Sequence, residues 1–550
     1  MDIDRLLKKL TSRKLYVFLI YLVATWVIYF SSRYAGFVTD YIGFEQGYDK
    51  CGFLHFYECA GLKNFRYLQH IFSWLLYRTV GSDTIYWFYL YILWHAMAAF
   101  ISFLFLERLT RKWMTYSASF AFISAFLFLV SPYQNEVVVW KVCIQYCSVV
   151  ISVMGALYLM VSDTENRHWR NPLLIYGLFL YGIFSLEQTA VMPFCLLLCF
   201  LFLRIGGHIP NFTRRFSLLY FLPLVIMLAG FFSLSKIVYG KWVMHYGAGT
   251  FNHLFSFHTL GKYYSYFLKY ILLTRHWPHT WKMMLGELLE QPIFSVTLTI
   301  VLIYTAISGL ISFVKGNKIA GLLLLLGALY TVSVLPVIQL YMTMLLNSEN
   351  DRLGYFSSVF ILAFFTLLLF QLKAFIRKII LLIFVIVNIF LAFNMSNLWQ
   401  QADTAMHRFL NSFEAYDASR VFVLSIPDNY KGVLEFRIYG ESSGLQESLQ
   451  YRRGKIYTGQ MYDIMNFNQV SQTDGTRVKI LNDSTLHVEF TQNGNWFWHD
   501  GIGASSRESS LYKIEMQEYG YNVTFRDFDP ARDVIIYASD GKLKTFDWKN

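Results

Sequence analysis

The chain has 550 residues, of which 55% are hydrophobic, 19% aromatic and only 15% charged, whereas an ordinary soluble protein carries about 25% charged residues. This composition excludes a disordered polypeptide, a collagen-like rod and a single soluble globule. Residues 1–400 carry 31 Lys and Arg against 16 Asp and Glu, and residues 401–550 carry 16 against 20. The cations of the first part punctuate apolar runs. They therefore indicate the cytoplasmic anchors of a membrane protein rather than contacts to nucleic acid.

Apolar stretches close to the ~20 residues that cross a bilayer recur from residue 15 to residue 394. They predict about eleven membrane-spanning helices, and residues 1–400 are therefore predicted to form an all-α polytopic membrane bundle. The predicted spans are 15–31, 84–107, 116–131, 138–161, 173–187, 189–204, 217–237, 293–314, 319–341, 355–371 and 378–396.

Cations collect in alternate loops between these spans, and Lys and Arg are enriched in the loops on the cytoplasmic side of a membrane. The clusters are Arg5/Lys8/Lys9/Arg13/Lys14, Arg108/Arg111/Lys112, Arg167/Arg170, Arg204/Arg214/Arg215, Lys315/Lys318 and Lys373/Arg377/Lys378. All of them agree with a cytoplasmic N-terminus. The first apolar run lacks a small-residue cleavage site and is predicted to be a retained anchor rather than a signal peptide. An odd number of spans then places residues 401–550 outside.

Residues 401–550 are predicted to form an extracytoplasmic β-rich domain. A helix-like segment over about 398–416 precedes it. Runs of alternating apolar residues follow, separated by Asp, Asn and Gly, which is typical of strands joined by turns. Examples of these runs are RVFVLSI, VLEFRIY, TLHVEF and VIIYAS.

The first outer loop, residues 32–83, is long and aromatic. Within 64–79 apolar residues recur at helical spacing with Arg66, His70 and Arg78 among them, which predicts a helix on the membrane surface. Cys51 and Cys59 share this loop, and in an oxidising compartment they either form a disulfide or stay as thiols. The other four cysteines lie in or near spans and are expected to pack there.

Most carboxylates of residues 1–400 fall at outer loops or outer helix ends in this topology. A carboxylate buried at a membrane boundary is costly, so such residues tend to line a polar cavity. The sequence therefore predicts a charged cleft on the outer face. The eleven outer acids are Asp40, Glu45, Asp49, Glu58, Asp83, Glu136, Glu187, Glu287, Glu290, Glu349 and Asp351.

Three short segments stand out among them. Asp40 lies in AGFVTDYIGFEQGYDK, a few residues after the first span and near headgroup depth. Glu136 lies in SPYQNEVVVW at the top of a span, and Asp351 and Arg352 lie in LLNSENDRLGYF. Arg352 can offer a planar fork of donors to a phosphate. The alternative is an ion pair with Asp351 or with Glu349.

Signals for a metal or a nucleophile are weak. His253 and His258, and likewise His276 and His279, have no Cys or Asp at ligand spacing, so no metal is predicted. The sequence contains neither a GxSxG elbow nor a Walker loop.

Several motifs together resemble the GT-C glycosyltransferases of the protein O-mannosyltransferase-like type. The acid of the first outer loop is matched by Thr39-Asp40-Tyr41, and the segments after it by RYLQH (66–70) and LWHAMAAF (93–100). The Pro-x-x-x-Glu-x-x-x-Trp pattern is matched by PYQNEVVVW, the Ser-x-Glu-Gln segment by SLEQTAVMP (185–193), and the Arg-containing segment of the late outer loops by NDRLGYFSS (350–358). Tyr41 stands where the family has a second acid, Pro is absent after Arg66, and Ser357 replaces a usual Pro.

The resemblance implies a GT-C-like fold and a multi-pass protein of a bacterial cytoplasmic membrane that takes part in cell-envelope glycan biosynthesis. The implied reaction moves a sugar from a polyprenyl-phosphate-linked donor to a hydroxyl of a glycan, lipid or protein acceptor. The lipid-linked sugar is a co-substrate, and no separate cofactor is implied. Asp40 is then the candidate general base, with Glu45 and Asp49 as substitutes. The candidate substrate-binding residues are Arg66, His70, Glu136, Glu187, Asp351 and Arg352.

Two alternatives are open. A lipid-linked oligosaccharide polymerase or ligase also has many spans and large outer loops, but Arg-rich outer loops and a small cytoplasmic tail are expected of it. A glycolipid flippase or transporter would place charges midway along its spans and would break helices at paired Gly and Pro.

Overall fold

The computed structural model describes residues 11–39, 41–42, 47–48, 66–164, 168–207, 213–242, 257–338, 351–436, 443–453, 457–491, 495–498 and 506–548. By its internal contacts the chain divides into two compact units. The membrane unit comprises residues 1–31 and 53–396, and the C-terminal unit comprises residues 397–550 together with 32–52. The predicted domains, 1–400 and 401–550, stay a prediction.

Helices make up the described part of the membrane unit, and the last of them continues into the C-terminal unit. They are α1 (Lys14–Tyr29), α2 (Tyr67–Val80), α3 (Thr84–Thr110), α4 (Ser117–Val130), α5 (Asn135–Val139), α6 (Ile144–Asp163), α7 (Arg170–Ile183), α8 (Met192–Ile205), α9 (Thr213–Phe216), α10 (Leu222–Tyr239), α11 (Phe257–Leu272), α12 (His279–Glu290), α13 (Pro292–Val314), α14 (Lys318–Val334), α15 (Tyr355–Leu369) and α16 (Ala374–Asn411). Short 3₁₀ turns cover Pro132–Gln134, Glu187–Val191, Thr274–His276 and Asp351–Gly354.

Each of the eleven predicted spans contains a helix. Among the described residues, eight helices are long and apolar enough to cross a membrane, or nine if the bent pair Ser117–Val130 and Pro132–Val139 is one span. The remaining two are shorter, because α14 has 17 residues and α7 has 14. The prediction of a polytopic helical bundle is therefore confirmed in its coarse form, while the count of eleven stays a prediction.

The apolar surface identifies this chain as a membrane protein. Helix α13 leaves Ile293 84% exposed, Tyr304 73% exposed and Ile300 61% exposed, and it has no charged residue between Pro292 and Val314. In water such a helix would expose a large apolar patch, whereas in a bilayer these side chains face lipid.

Ion pairs join residues that the sequence places on the same side of the membrane. Lys14 pairs with Glu107, and Arg215 donates to Asp163 at 2.7 Å. Tyr220 also donates to Asp163, at 2.6 Å. Buried or half-buried charges of this kind are stable only when they are paired and hydrogen-bonded. Both ion pairs therefore join residues that the predicted topology places on the same side of the membrane. Which side faces the cytoplasm stays a prediction.

Helix α2 has its polar face inside. Gln69, His70 and Ser73 are buried, whereas Leu68 and Leu75 are exposed. This arrangement is the reverse of that in a soluble protein and suits a helix whose apolar side contacts the membrane interface. The helix predicted over 64–79 is thus present from Tyr67 onward, and its place on the membrane surface stays a prediction.

Three sheets and one helix form the described C-terminal unit beyond α16. The strands are β1 (Arg420–Val423), β2 (Ile426–Tyr430), β3 (Val433–Leu434), β4 (Gln460–Asp463), β5 (Met465–Gln469), β6 (Thr476–Asn482), β7 (Thr485–Phe490), β8 (Asn495–Trp498), β9 (Ser506–Glu508), β10 (Tyr512–Gln517), β11 (Gly520–Phe525), β12 (Asp533–Ser539) and β13 (Lys542–Phe546), and helix α17 is Gly444–Arg453.

The sheets have the strand orders β13-β12-β1-β4, β3-β2-β5-β8 and β6-β7-β11-β10-β9. Strand β1 pairs in parallel with β4 and with β12, and β2 pairs in parallel with β5. Helix α17 lies in the crossover that parallel pairing requires. The third sheet is antiparallel throughout, and its strands alternate buried and less buried residues, as a half-buried sheet requires. The predicted β-rich domain is confirmed as a C-terminal sheet region.

Candidate functional site

The first pair of the site joins Glu136 to Arg352. The Arg352 backbone amide donates to Glu136 Oε2 at 2.8 Å, and the Arg352 guanidinium bonds Glu136 Oε1. The guanidinium also lies 5.0 Å from the centre of the Trp140 ring. Pro132 opens a 3₁₀ turn after the bend that ends α4, and the short helix α5 then places Glu136 and Trp140 one helical turn apart. The spacing of PYQNEVVVW therefore brings a carboxylate and an aromatic ring to the same cation.

Asp351 holds two other cations. Its carboxylate pairs with Lys269 from α11 and with Arg275 from the 3₁₀ turn Thr274–His276. All three side chains are at most 10% exposed. Leu273, which connects α11 to this turn, has a φ of 53°. Of the two possibilities that the sequence left open for Arg352, an ion pair is present, and its carboxylate is Glu136 instead of Asp351. Glu349 lies outside the described residues.

Tyr133 lies between the two cations of Asp351. Its ring centre is 4.8 Å from Lys269 Nζ and 4.8 Å from Arg275 Cζ. The Tyr270 ring packs edge-on against it at 5.1 Å. Gly354 approaches Tyr270 and Tyr266 so closely that a Cβ atom would clash with both rings. The aromatic rings therefore fix the positions of the cations and exclude water from them.

The five residues of this ionic cluster, Glu136, Asp351, Arg352, Lys269 and Arg275, contain one more cation than anion. Burial lowers the pKa of Lys269 below its usual value, and repulsion from Arg275 lowers it further. Burial also lowers the pKa of His276 to about 4, together with the charges of Arg275, Lys282 and Lys269. His276 is therefore neutral near pH 7. An excess of buried positive charge favours the binding of an anion.

A second polar group lies around Glu187. Both of its carboxylate oxygens are buried, and neither has a hydrogen-bond partner among the described residues. Arg66 interacts with Glu187 electrostatically. The Leu68 backbone amide donates to the Phe184 carbonyl at 3.2 Å and so fixes the start of α2 beside the end of α7. Burial, reinforced by Arg66, lowers the pKa of His70 to about 3, so this imidazole is neutral.

Gln188 connects the two groups. Its side-chain amide donates to the Leu353 carbonyl at 3.4 Å and to the Ser333 carbonyl at 3.3 Å. Glu187, which precedes it, is thereby tied to the turn that carries Asp351 and Arg352. Glu136, Asp351 and Arg352 thus belong to the ionic cluster, and Arg66, His70 and Glu187 belong to a second group. That these six residues bind a substrate stays a prediction.

The catalytic candidates Asp40, Glu45 and Asp49 and the cysteines Cys51 and Cys59 lie outside the described residues, so the base and the disulfide stay predictions. Thr39, which precedes Asp40, is described. It has a φ of 52°, is 2% exposed, and its buried hydroxyl has no hydrogen-bond partner among the described residues. A β-branched residue in the left-handed region is strained, and such strain is concentrated at functional sites.

Sequence reasoning missed Lys269, Arg275, Tyr133 and Lys141. Lys269 and Arg275 belong to a loop that the predicted topology places outside, and Lys141 lies at the outer end of the predicted span 138–161. At these positions Lys and Arg depart from their cytoplasmic bias. That departure was the available signal, but only the carboxylates were sorted in this way. The aromatic partners are distant in sequence and gave no signal. Within the described ranges, no group of three His, Cys, Asp or Glu side chains is arranged to hold a metal ion.

The fold and these residues define a polytopic membrane protein with a buried ionic cluster and a C-terminal sheet region. Comparison with known proteins finds no family model that matches the chain and no matching curated protein. A function for this protein is therefore inferred from its own residues.

Proposed function

We propose that this protein is an integral-membrane glycosyltransferase that moves a sugar from a polyprenyl-phosphate-linked donor to an acceptor hydroxyl at the outer membrane face. The acceptor is a glycan, a lipid or a protein. The observation that carries the proposal is the buried cluster around Asp351, because it holds more cations than anions in a membrane protein. Three of its residues, Glu136, Asp351 and Arg352, belong to the motifs that resemble the GT-C enzymes.

The physical requirements of the reaction support this location. The donor's tail must stay in the bilayer while its phosphate and sugar reach a polar site, so the site has to lie where helices end. The Glu136–Arg352 pair lies at the start of α5 and in the turn that precedes α15. The leaving phosphate gains negative charge, and preorganised cations stabilise that charge best where water is excluded.

The reaction proceeds by inversion at the anomeric carbon. The acceptor oxygen forms a bond to this carbon while the bond from the carbon to the phosphate oxygen breaks. The electron pair leaves with the polyprenyl phosphate, and the hydroxyl proton passes to the carboxylate of Asp40, with Glu45 or Asp49 as the alternative base. A positioned base of this kind contributes about 10²–10⁴-fold in rate.

The substrate-binding residues divide into two roles. Arg352 contacts the donor phosphate, and Glu136 positions Arg352 from its backbone and its side chain. Glu187, with Arg66 and His70 beside it, orients the acceptor or holds a water molecule. Asp351 pairs with both Lys269 and Arg275 and so holds these two side chains together in the cluster.

A sugar-transfer assay in membranes tests the proposal. Membranes containing the protein receive a radiolabelled sugar as a polyprenyl-phosphate ester, as a nucleotide ester, or as the free sugar. Transfer is expected from the lipid-linked donor alone, and Arg352→Ala should reduce it. Glu287→Gln, a change at an exposed acid of α12, is the matched control. Movement of the intact lipid-linked sugar across the membrane without transfer would instead support a flippase, and transfer of preassembled oligosaccharides would support a polymerase or ligase.

A further inference from the structure

Lys141 is a buried lysine that has no counterion among the described residues. It lies in the turn between α5 and α6, and it is 1% exposed. Its ammonium has no hydrogen-bond partner among the described residues. The group that it contacts is the Tyr91 ring of α3, whose centre is 5.0 Å from Nζ. Within the described ranges this lysine forms no ion pair, whereas Lys269 and Arg275 both pair with Asp351.

A buried ammonium without an anion is unfavourable, because the protein interior replaces its lost hydration poorly. The contact with Tyr91 recovers only a part of this loss, since a cation–π contact is weaker than the penalty for burying an ion. A lysine is usually found in such a place when a ligand supplies the missing charge.

The turn that carries Lys141 is rigid and polar. The Cys143 amide donates to the Trp140 carbonyl at 3.1 Å, and the Gln69 side-chain amide donates to the Val142 carbonyl at 3.1 Å. Two side-chain oxygens, that of Gln145 four residues further on and that of Gln69, are buried without a hydrogen-bond partner among the described residues. Polar atoms left in this state are satisfied by a ligand or by water.

Trp140, the residue before Lys141, supports the Arg352 guanidinium on its ring. Two cations thus meet at this turn. Arg352 stacks on the ring of Trp140, and Lys141, the next residue, stacks on the ring of Tyr91. Arg352 is paired with Glu136, whereas no carboxylate in the described part of the chain pairs with Lys141. The uncompensated charge of this turn therefore belongs to Lys141.

We propose that Lys141 is an anion-binding residue that contacts the phosphate of a phosphate ester, with Tyr91 holding its side chain in place. The assignment of the ester to a lipid-linked donor rests on the proposed function; the phosphate chemistry does not. A phosphate completes the hydrogen bonds of the ammonium and returns the buried charge to neutrality.

The test measures ligand affinity and thermal unfolding on the full chain in detergent or nanodiscs. The probes are polyprenyl monophosphate, inorganic phosphate and the uncharged polyprenol. Lys141→Met keeps the length of the side chain and removes its charge, and Lys141→Arg keeps the charge. Lys315→Met, at an exposed position after α13, is the matched control.

We expect Lys141→Met to weaken polyprenyl phosphate binding by about tenfold or more, the range for one charge-assisted contact. Lys141→Arg should bind more tightly than Lys141→Met, and Lys315→Met should bind like the wild type. Polyprenol affinity should not change. Without ligand, Lys141→Met should unfold at the same temperature as the wild type or at a higher one, because it removes an uncompensated charge.

Unchanged affinity of Lys141→Met for polyprenyl phosphate would overturn the proposal. A lower unfolding temperature of Lys141→Met without ligand would also overturn it, because it would assign Lys141 a purely structural role. Binding of inorganic phosphate as tight as that of the polyprenyl ester would identify free phosphate as the source of the anion and still support the phosphate site. Lys141-dependent binding with no transfer from any sugar donor would overturn the proposed function and leave this site in place. Wild-type transfer by Lys141→Met would overturn this site and leave the function in place.

Discussion

Glu136 binds Arg352 at two points, since its carboxylate accepts the Arg352 backbone amide at 2.8 Å and also pairs with the guanidinium. The backbone contact fixes the start of the turn Asp351–Gly354, and the side-chain contact fixes the direction of the guanidinium. The two residues are 216 positions apart in the chain. A single carboxylate thus sets the position of both the turn and its cation.

Removing this carboxylate is expected to destabilise the membrane unit. Glu136→Ala leaves the Arg352 cation without its partner, and breaking a largely buried pair in this way costs about 3–5 kcal/mol. Glu136→Gln should cost less, because the amide oxygen still accepts the Arg352 backbone N–H. Thermal unfolding in detergent measures both changes. Equal stability of Glu136→Ala and wild type would show that the pair contributes nothing to folding.

Arg352 is expected to act on turnover more than on stability. Arg352→Ala removes a charge-assisted contact that strengthens as the leaving phosphate gains charge, so turnover should fall by about 10²-fold or more. Arg352→Lys keeps a charge but loses the planar fork and should restore activity only in part. Sugar-transfer rates at saturating donor provide the measurement. If Arg352→Ala had the turnover of the wild type, Arg352 would have only a structural role, through its ion pair with Glu136.

Asp40 is expected to be the general base. Asp40→Asn keeps the size of the side chain and removes its basicity, so transfer should fall by at least ~100-fold while expression and membrane insertion are unchanged. Donor affinity, measured separately, should stay near that of the wild type. If Glu45→Gln or Asp49→Asn abolishes transfer while Asp40→Asn does not, the base is one of those residues. Activity in all three variants would contradict the proposed mechanism.

Asp533 is expected to make the C-terminal unit sensitive to acid. Burial alone would raise the pKa of Asp533, but hydrogen bonds from Arg420 and from the Asp529 amide outweigh it and hold this pKa below its usual value. Arg420 donates to both Asp533 oxygens, at 2.8 and 2.6 Å. A carboxyl group with a lowered folded-state pKa contributes stability above its unfolded-state pKa, and this stability disappears as the pH falls through the folded-state value.

Hydrogen exchange on the full chain measures this effect through the amides of β1 and β12. Asp533→Asn should increase their exchange at neutral pH, and acidification should do the same in the wild type after correction for intrinsic rates. Glu515→Gln is the control, because its ion pair with Lys513 is exposed and contributes little. Slower exchange at low pH in the wild type would contradict the assignment.

Glu435 is expected to make the C-terminal unit less stable as the pH rises, which is the opposite of the effect of Asp533. Burial raises its pKa well above the usual value, and repulsion from Asp428 and Asp403 adds to this. Its carboxylate oxygens have no hydrogen-bond partner in the described part of the chain. At a pH between the unfolded-state pKa and the folded-state pKa of Glu435, its carboxyl group is protonated in the folded chain and ionised in the unfolded chain. The free energy of unfolding therefore falls as the pH rises through this range. Glu435→Gln should therefore raise the unfolding temperature at neutral pH and lose that advantage near pH 4. A lower unfolding temperature at neutral pH would show that the carboxyl group is favourable where it lies.

Local patterns in the sequence predicted the membrane spans and the β-rich region, but not helices α11, α12 and α17. A bilayer requires long apolar helices, so each of the eleven predicted spans contains a helix, and alternation requires strands, so the C-terminal sheets lie where the runs such as TLHVEF and VIIYAS occur. The lengths of short helices were not predictable. Helix α7 ends at Ile183, before Glu187, because the Leu186–Val191 segment turns to bring Gln188 to Leu353.

Sequence reasoning also identified Glu136, Glu187, Asp351 and Arg352 as polar residues at helix ends, because a charge next to an apolar run always needs a partner. The partners themselves were decided by tertiary structure. Packing of α5 and α11 against the turn Asp351–Gly354 assigns Glu136 to Arg352 and gives Asp351 to Lys269 and Arg275. Lys141 is left without an anion from any residue that the structure describes. Pairing depends on distances between residues far apart in the chain, and only the folded helices set those distances.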